Sequence, residues 1–150
     1  MSSISQIEDW GNSHRLAVMD YFRIALGGFL TFKGVQFLSD LGAFQEITGG
    51  LDIMFASAGL AHYVIFVHIL GGPLIALGLF TRGVCLLQIP VLIGAVFLVN
   101  FPKGFLSMGN HMELEMSIIS LVLLVVFVIF GAGKLSIDEI RRKELASKKE

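Results

Sequence analysis

Five of the polar side chains in the apolar runs of this sequence could together take part in hydrogen bonding and proton exchange. They are Lys33, His68, Asn100, Glu113 and Glu115. An ammonium, an imidazole, an amide and two carboxylates can hold a polar ligand or exchange a proton with it, and they can equally pair with one another. The set therefore predicts either a binding site or structural ion pairs.

The elements that carry these residues are four long apolar runs. The chain of 150 residues is 55% hydrophobic and 15% charged, with a mean hydropathy of +0.79. Soluble domains are only about 45–50% apolar, so the composition predicts a membrane protein. About 20 helical residues cross a bilayer, whereas spanning strands would alternate in polarity. We therefore predict an all-α fold, a transmembrane four-helix bundle with spans at about 18–38, 60–80, 83–101 and 112–131.

Several classes of site are disfavoured by composition. A net charge of -1 argues against nucleic acid as a partner. Cys85 is the single cysteine, so no internal disulfide or cysteine cage can form. His62 stands about 240° around the helix from His68, which disfavours a haem held by two histidines, and too few ligands converge for a metal cage. We predict no metal site and no covalently bound cofactor.

The basic residues outside the spans predict the orientation of the chain. The positive-inside rule predicts that both termini lie in the cytoplasm. We expect the membrane to be an inner (plasma) membrane of bacterial type. The outer side carries only Lys103, and the cytoplasmic side carries Arg15, Arg82, Lys134, Arg141, Arg142, Lys143, Lys148 and Lys149.

The segments outside the bundle read as surface elements. We predict that residues 1–17 form a cytoplasmic interfacial N-terminal segment and that residues 18–133 form the four-helix transmembrane domain. The loop 39–59 between helices 1 and 2 is acidic yet apolar, which predicts an interfacial or re-entrant outer loop. Residues 134–150 predict a charged cytoplasmic helix that starts at the capping pattern Ser136-Ile137-Asp138-Glu139.

Depth along the helices predicts that the polar residues of the outer half meet. Lys33 lies roughly 8 Å below the outer boundary, Glu113 about 2 to 3 Å, Glu115 about 5 Å and His68 about 12 Å. An unpaired charge in the bilayer centre costs ~2.5 to 3.5 kcal/mol, which favours their convergence. Glu113 and Glu115 point about 200° apart, so only one can pair with Lys33, and the sequence leaves open which.

At the cytoplasmic end the sequence predicts a structural ion pair. Asp20 and Arg23 stand three residues apart on one face of the first helix, a spacing that brings their side chains together. Arg82, in the turn between the second and third spans, would help to secure this end of the bundle.

The outer set fits a small neutral ring with carbonyl groups, such as a quinone. Lys33 and His68 would bind its oxygens, with Asn100 and the glutamates nearby. The ring would lie among Phe29, Phe32, Phe66 and Phe97.

Four stretches of the sequence together resemble the DoxX family of small four-helix membrane proteins, from about residue 20 to 138. They are FRIALGGFLTFKGVQFL, HILGGPLIALGLFTRGV, GAVFLVNFP and MELEMSIISLVLLVVFVIFGAGKLSID. The most specific parts are LGLFTR, with Gly78 and Arg82, and the closing GAGKLSID. One departure is that Phe37 stands where the family often has a lysine, and Lys33 comes four residues earlier.

The resemblance implies a quinone-interacting or membrane-anchoring subunit of an oxidoreductase system, whether or not this chain is itself an enzyme. Family members resemble the membrane subunits of thiosulfate:quinone oxidoreductases, which implies a periplasmic or membrane redox partner. Two alternatives remain open. One is a non-catalytic scaffold that docks proteins through loop 39–59, and the other is a proton or solute conduit formed by a homo-oligomer.

Overall fold

The computed structural model describes residues 18–42, 57–101 and 113–148. Within these ranges every regular element is a helix, which confirms the all-α prediction. The helices are α1 (Val18–Ser39), α2 (Ser57–Leu77), α3 (Thr81–Gly94) with its π-helical continuation (Ala95–Asn100), α4 (Glu113–Phe130) and α5 (Ile137–Ser147). The predicted N-terminal segment 1–17 and most of loop 39–59 lie outside the described residues.

Three helices of the described chain are long and apolar enough to cross a membrane. They are Gly59–Leu77, Thr81–Asn100 and Glu113–Phe130. Helix α1 has 22 residues, which is long enough, but it carries Asp20, Arg23 and Lys33. These charges lower its hydropathy, so the first of the four predicted spans remains a prediction.

Each of the four long helices packs against two others: α1 contacts α2, α2 contacts α3, α3 contacts α4, and α4 contacts α1. Leu30, Ile75, Leu124 and Phe127 are buried between them and are at most 1% exposed. Many large apolar side chains instead face outward, among them Phe32 and Phe66. Apolar side chains on both the inside and the outside are typical of helices surrounded by lipid.

Helices α1 and α2 approach so closely that only small residues fit between them. A Cβ added at Gly27 would lie 2.6 Å from the backbone nitrogen of Ala76, and one added at Gly34 would lie 2.8 Å from Cβ of His68. In a membrane such contacts replace the hydrophobic effect as the force that holds helices together. This crossing sets the position of His68 relative to α1.

We predict that Gly27→Ala destabilises the protein by about 1–3 kcal/mol, because the new methyl group overpacks a contact with backbone. Gly28→Ala is the matched control, since a Cβ there meets nothing within 4 Å. The measurement is the thermal midpoint of unfolding in mild detergent. Equal midpoints for the two variants would contradict the close packing of α1 on α2.

The turn between α2 and α3 begins three residues earlier than the sequence predicted. The predicted span 60–80 ends at Leu77, because Gly78 has a φ of 71° and its N–H donates to the carbonyl of Ile75 at 3.0 Å. Phe80, with a φ of 49°, then precedes the first residue of α3. The positive φ values reverse the chain within three residues.

Helix α5 is joined to this turn by its first residues. Ser136 caps α5, accepting a hydrogen bond from the Glu139 N–H at 3.2 Å, as the capping pattern predicted. Two residues further on, the Asp138 carboxylate accepts from the N–H groups of Phe80 and Thr81 at 2.9 and 3.1 Å. Asp138 therefore caps the start of α3. One short segment therefore fixes the starts of two helices.

Candidate functional site

A small cavity, called here the Lys33 cavity, collects polar side chains from four helical segments. Lys33 comes from α1, His68 from α2, Asn100 from the π-helix and Glu113 from α4. Its volume is about 90 Å³, and most of its remaining wall is apolar. Four of the five residues that the sequence selected are thus brought together, and Glu115 is not among the lining residues.

The ion pair in this cavity joins Lys33 to Glu113. The Lys33 Nζ atom lies 2.9 Å from Oε1 of Glu113, and the two side chains are 19% and 36% exposed. The alternative that the sequence left open is thereby decided in favour of Glu113. Because both groups remain partly exposed, this pair is accessible from the cavity and its surroundings.

His68 is the most deeply buried titratable group of the cavity, at 5% exposure. Its Nδ1 lies 2.9 Å from the carbonyl oxygen of Val64, which can only accept, so Nδ1 carries a hydrogen. The neutral ring then keeps its lone pair on Nε2. Phe37 packs its ring edge-on against the imidazole, at 5.8 Å between centroids. The ring is therefore held in one orientation with an acceptor to offer.

Asn100 is held by α4 while one of its polar atoms stays available. Its amide Nδ2 donates to Oγ of Ser117 at 2.9 Å, and Ser117 in turn donates to the carbonyl of Glu113 at 2.7 Å. The Oδ1 atom is buried and has no hydrogen-bond partner within the described ranges. Asn100 ends the π-helical stretch, and such stretches frequently mark functional sites.

The prediction that four phenylalanines surround the ligand ring is wrong for three of them. Phe29 lines the cavity, but Phe32, Phe66 and Phe97 are 64%, 63% and 59% exposed. The aromatic residues beside Lys33 are instead Phe29 and Phe37, one turn before and after it on the same helical face. The i±4 spacing from Lys33 is the sequence signal that would have selected Phe37.

A second polar cluster, the Arg23 hub, lies at the other end of α1. Arg23 is 1% exposed, and its Nη1 donates to the carbonyls of Ile75 and Ala76 at 3.0 and 2.8 Å. Its Nη2 donates to the carbonyl of Leu135 at 2.6 Å and lies 3.4 Å from Oδ1 of Asp20. The guanidinium thus links the first turns of α1 and the last turn of α2 to the residues just before α5.

The other residues assigned to this end have separate connections. Asp20 is 2% exposed, and its Oδ1 accepts from the N–H of Leu135 at 3.2 Å. Arg82 donates to the carbonyl of Ile129 at 3.1 Å and so ties α3 to the end of α4. Asp20 and Arg23 therefore form the ion pair, and Arg82 belongs to the neighbouring α3–α4 contact.

These features define a small, all-α, multi-pass membrane protein with a polar cavity near one end of α1 and a charge hub near the other. The DoxX family model matches residues 18–100, more than half of the chain. The chain belongs to the DoxX family. The matched segment contains Lys33, His68 and Asn100, and α4 with Glu113 lies beyond it.

Comparisons with curated proteins and with solved structures give no match. Among the described residues, no group of three or more histidine, cysteine, aspartate or glutamate side chains is arranged to hold a metal ion.

Proposed function

We propose that this protein is a membrane subunit of an oxidoreductase system that binds the head group of a quinone in the Lys33 cavity. The observation that carries the proposal is the convergence of hydrogen-bonding groups from four helical segments in one otherwise apolar cavity. An apolar wall with a few convergent polar groups is the usual form of a small-molecule site.

The cavity offers both kinds of hydrogen bond that such a ligand needs. The Lys33 ammonium donates, which suits the carbonyl oxygen of a quinone. Oδ1 of Asn100 and Nε2 of His68 can accept, which suits the hydroxyl of a hydroquinone. Reduction of a quinone to a hydroquinone takes up two electrons and two protons. Lys33 can give a proton to the reduced oxygen, and Glu113, 2.9 Å away and 36% exposed, can relay replacement protons from outside the cavity. The electrons would come from a redox partner protein.

The size of the cavity limits what it can hold. About 90 Å³ is well below the roughly 300–1,000 Å³ of pockets that enclose a drug-sized ligand. The proposal is therefore for a single ring whose tail extends between helices into lipid. It includes four membrane spans with both termini in the cytoplasm, which places the Lys33 cavity near the outer surface of an inner membrane.

The test is quinone content after purification in mild detergent, measured by mass spectrometry of an organic extract. We expect quinone close to one per chain, falling at least tenfold in Lys33→Met and in His68→Ala. Tenfold corresponds to about 1.4 kcal/mol, and a hydrogen bond to a charged group contributes about 1.5–3 kcal/mol. The matched controls are Lys134→Met and His62→Ala, which change the same residue types outside the cavity.

A specific observation also supports a second candidate, a non-catalytic scaffold. Lys33 and Glu113 already satisfy each other's charge, so the pair can lock helix α1 to α4 with no ligand present. The same purification separates the two functions. Quinone at background level in the wild-type protein, or retention unchanged by Lys33→Met and His68→Ala, would reject the quinone site and favour the scaffold.

A further inference from the structure

A second cleft, called here the Thr81 cleft, lies where α3 begins, α4 ends and α5 passes. Its volume is about 340 Å³, and its polar lining consists mainly of Thr81, Arg82, Asp138, Glu139 and Arg142. We propose that the Thr81 cleft binds the head group of a glycerophospholipid that carries a primary amine, a phosphoethanolamine head group. This site is separate from the Lys33 cavity and does not depend on the quinone proposal.

The position of the cleft along the helices matches the depth of lipid head groups. The apolar span Thr81–Asn100 begins at the cleft, and the span Glu113–Phe130 ends beside it. Phe80 lines the cleft and is 63% exposed, and Leu135 and Ile140, which lie close in sequence to the cleft residues of α5, are 75% and 57% exposed. Such exposed apolar side chains offer contacts for acyl chains. Polar groups at the cleft with apolar groups around it suit an amphipathic ligand.

The phosphate would be recognised on the side of the cleft formed by α3. Thr81 is 1% exposed, and its hydroxyl has no hydrogen-bond partner within the part of the chain that the structure describes. A buried hydroxyl without a partner is costly, and a phosphate oxygen would relieve that cost. Beside it is the first turn of α3, whose backbone N–H groups favour an anion.

This first turn has room for a ligand and an adjacent cation. A Cβ added at Gly83 would meet nothing within 4 Å, so there is open space beside this turn. Asp138 already accepts from the N–H groups of Phe80 and Thr81, which leaves the next positions of the turn for the phosphate. Arg142 lines the cleft and donates from Nη2 to Oε1 of Glu139 at 2.8 Å. Its side chain is 56% exposed, which leaves its other guanidinium N–H groups for the phosphate.

The charges of the cleft distinguish a zwitterionic head group from an anionic one. Arg82 and Arg142 are balanced by Asp138 and Glu139, so a purely anionic ligand would add an uncompensated charge. A head group with both a phosphate and an ammonium leaves the balance unchanged. Oε1 of Glu139 already accepts from Arg142 at 2.8 Å, but a carboxylate has acceptor sites for more than one donor. Because carboxylates only accept, Glu139 favours an ammonium with N–H donors over a trimethylammonium.

The experiment is native mass spectrometry of the full chain in detergent, supplied with equal amounts of phosphatidylethanolamine, phosphatidylglycerol and phosphatidylcholine. We expect phosphatidylethanolamine to be retained preferentially, and Thr81→Val to lower its retention about tenfold or more, the effect of one hydrogen bond to a charged group. Thr81→Val removes only an unpaired hydroxyl, so the thermal midpoint should not fall. A purely structural Thr81 would leave lipid retention unchanged.

Charge variants test the two halves of the head group separately. Arg142→Gln should lower retention of all three lipids, whereas Arg141→Gln, the adjacent arginine outside the cleft lining, should not. Glu139→Gln should remove the preference for phosphatidylethanolamine over phosphatidylcholine. The proposal is overturned if the wild-type protein prefers phosphatidylglycerol or phosphatidylcholine, or if Thr81→Val and Arg142→Gln bind like the wild-type protein.

Discussion

Arg23→Met is expected to destabilise the protein by about 3–5 kcal/mol, the usual cost of removing one partner of a buried ion pair. Methionine has a similar length but donates no hydrogen bond. It would leave Asp20 without its guanidinium, and the carbonyls of Ile75, Ala76 and Leu135 would lose a donor. Since Arg23 and Asp20 are only 1% and 2% exposed, water cannot replace the arginine beside Asp20 at low cost.

The measurement is the yield of folded protein and its thermal midpoint in mild detergent. Arg141→Met is the matched control, because that arginine lies over the ring of Phe80 on the surface, 5.6 Å from its centroid. Asp20→Asn should cost less than Arg23→Met, since an asparagine oxygen can still accept from the N–H of Leu135. A loss below 1 kcal/mol for Arg23→Met would show that the Arg23 hub does not hold the helices together.

The two polar clusters differ in how completely the protein satisfies them. In the Arg23 hub, all but one of the guanidinium nitrogens donate to groups of the chain itself, and both charged side chains are nearly inaccessible. In the Lys33 cavity the ion pair is partly exposed, and the amide oxygen of Asn100 still lacks a partner within the described ranges. Unused acceptors beside an accessible ion pair favour a ligand. Both terminal guanidinium nitrogens of Arg23 donate within the chain, and the side chain is only 1% exposed, which favours a structural role instead.

The convergence of the Lys33 cavity could be predicted from the sequence because it follows from helix geometry alone. Depth at 1.5 Å per residue put Lys33, His68 and Glu113 in the same half of the membrane, and the cost of isolated charges predicted that they meet. The faces of α4 separated Glu113 from Glu115. Those arguments need only the positions of residues along each helix.

What could not be predicted depends on how neighbouring helices are rotated and where their chains turn. The partners of Arg23 are backbone carbonyls at the end of α2 and after α4, and backbone atoms leave no signature in residue types. Phe32, Phe66 and Phe97 face outward because the contact faces are set by small residues such as Gly27, not by the aromatic residues. The π-helix that carries Asn100 likewise has no pattern of its own in the sequence.

The turn after α2 gives the second large expected effect, since Gly78→Ala should destabilise the protein by about 3–5 kcal/mol. Gly78 has a φ of 71°, a conformation that costs an alanine roughly 1–2 kcal/mol. A Cβ at this position would also collide with the guanidinium of Arg23 and with Ser136. The new methyl group would therefore displace the same guanidinium that Arg23→Met removes, with a loss of comparable size.

Gly83→Ala is the matched control, because that glycine lies five residues further on, inside α3, and an added Cβ there meets nothing within 4 Å. We expect the thermal midpoint of Gly83→Ala to equal or exceed that of the wild-type protein, since alanine favours a helix by about 1 kcal/mol over glycine. The double variant Gly78→Ala with Arg23→Met should cost clearly less than the sum of the two single variants, because both disrupt the same hydrogen bonds. Full additivity would mean that Gly78 acts through its backbone conformation alone and that the contact with Arg23 contributes nothing.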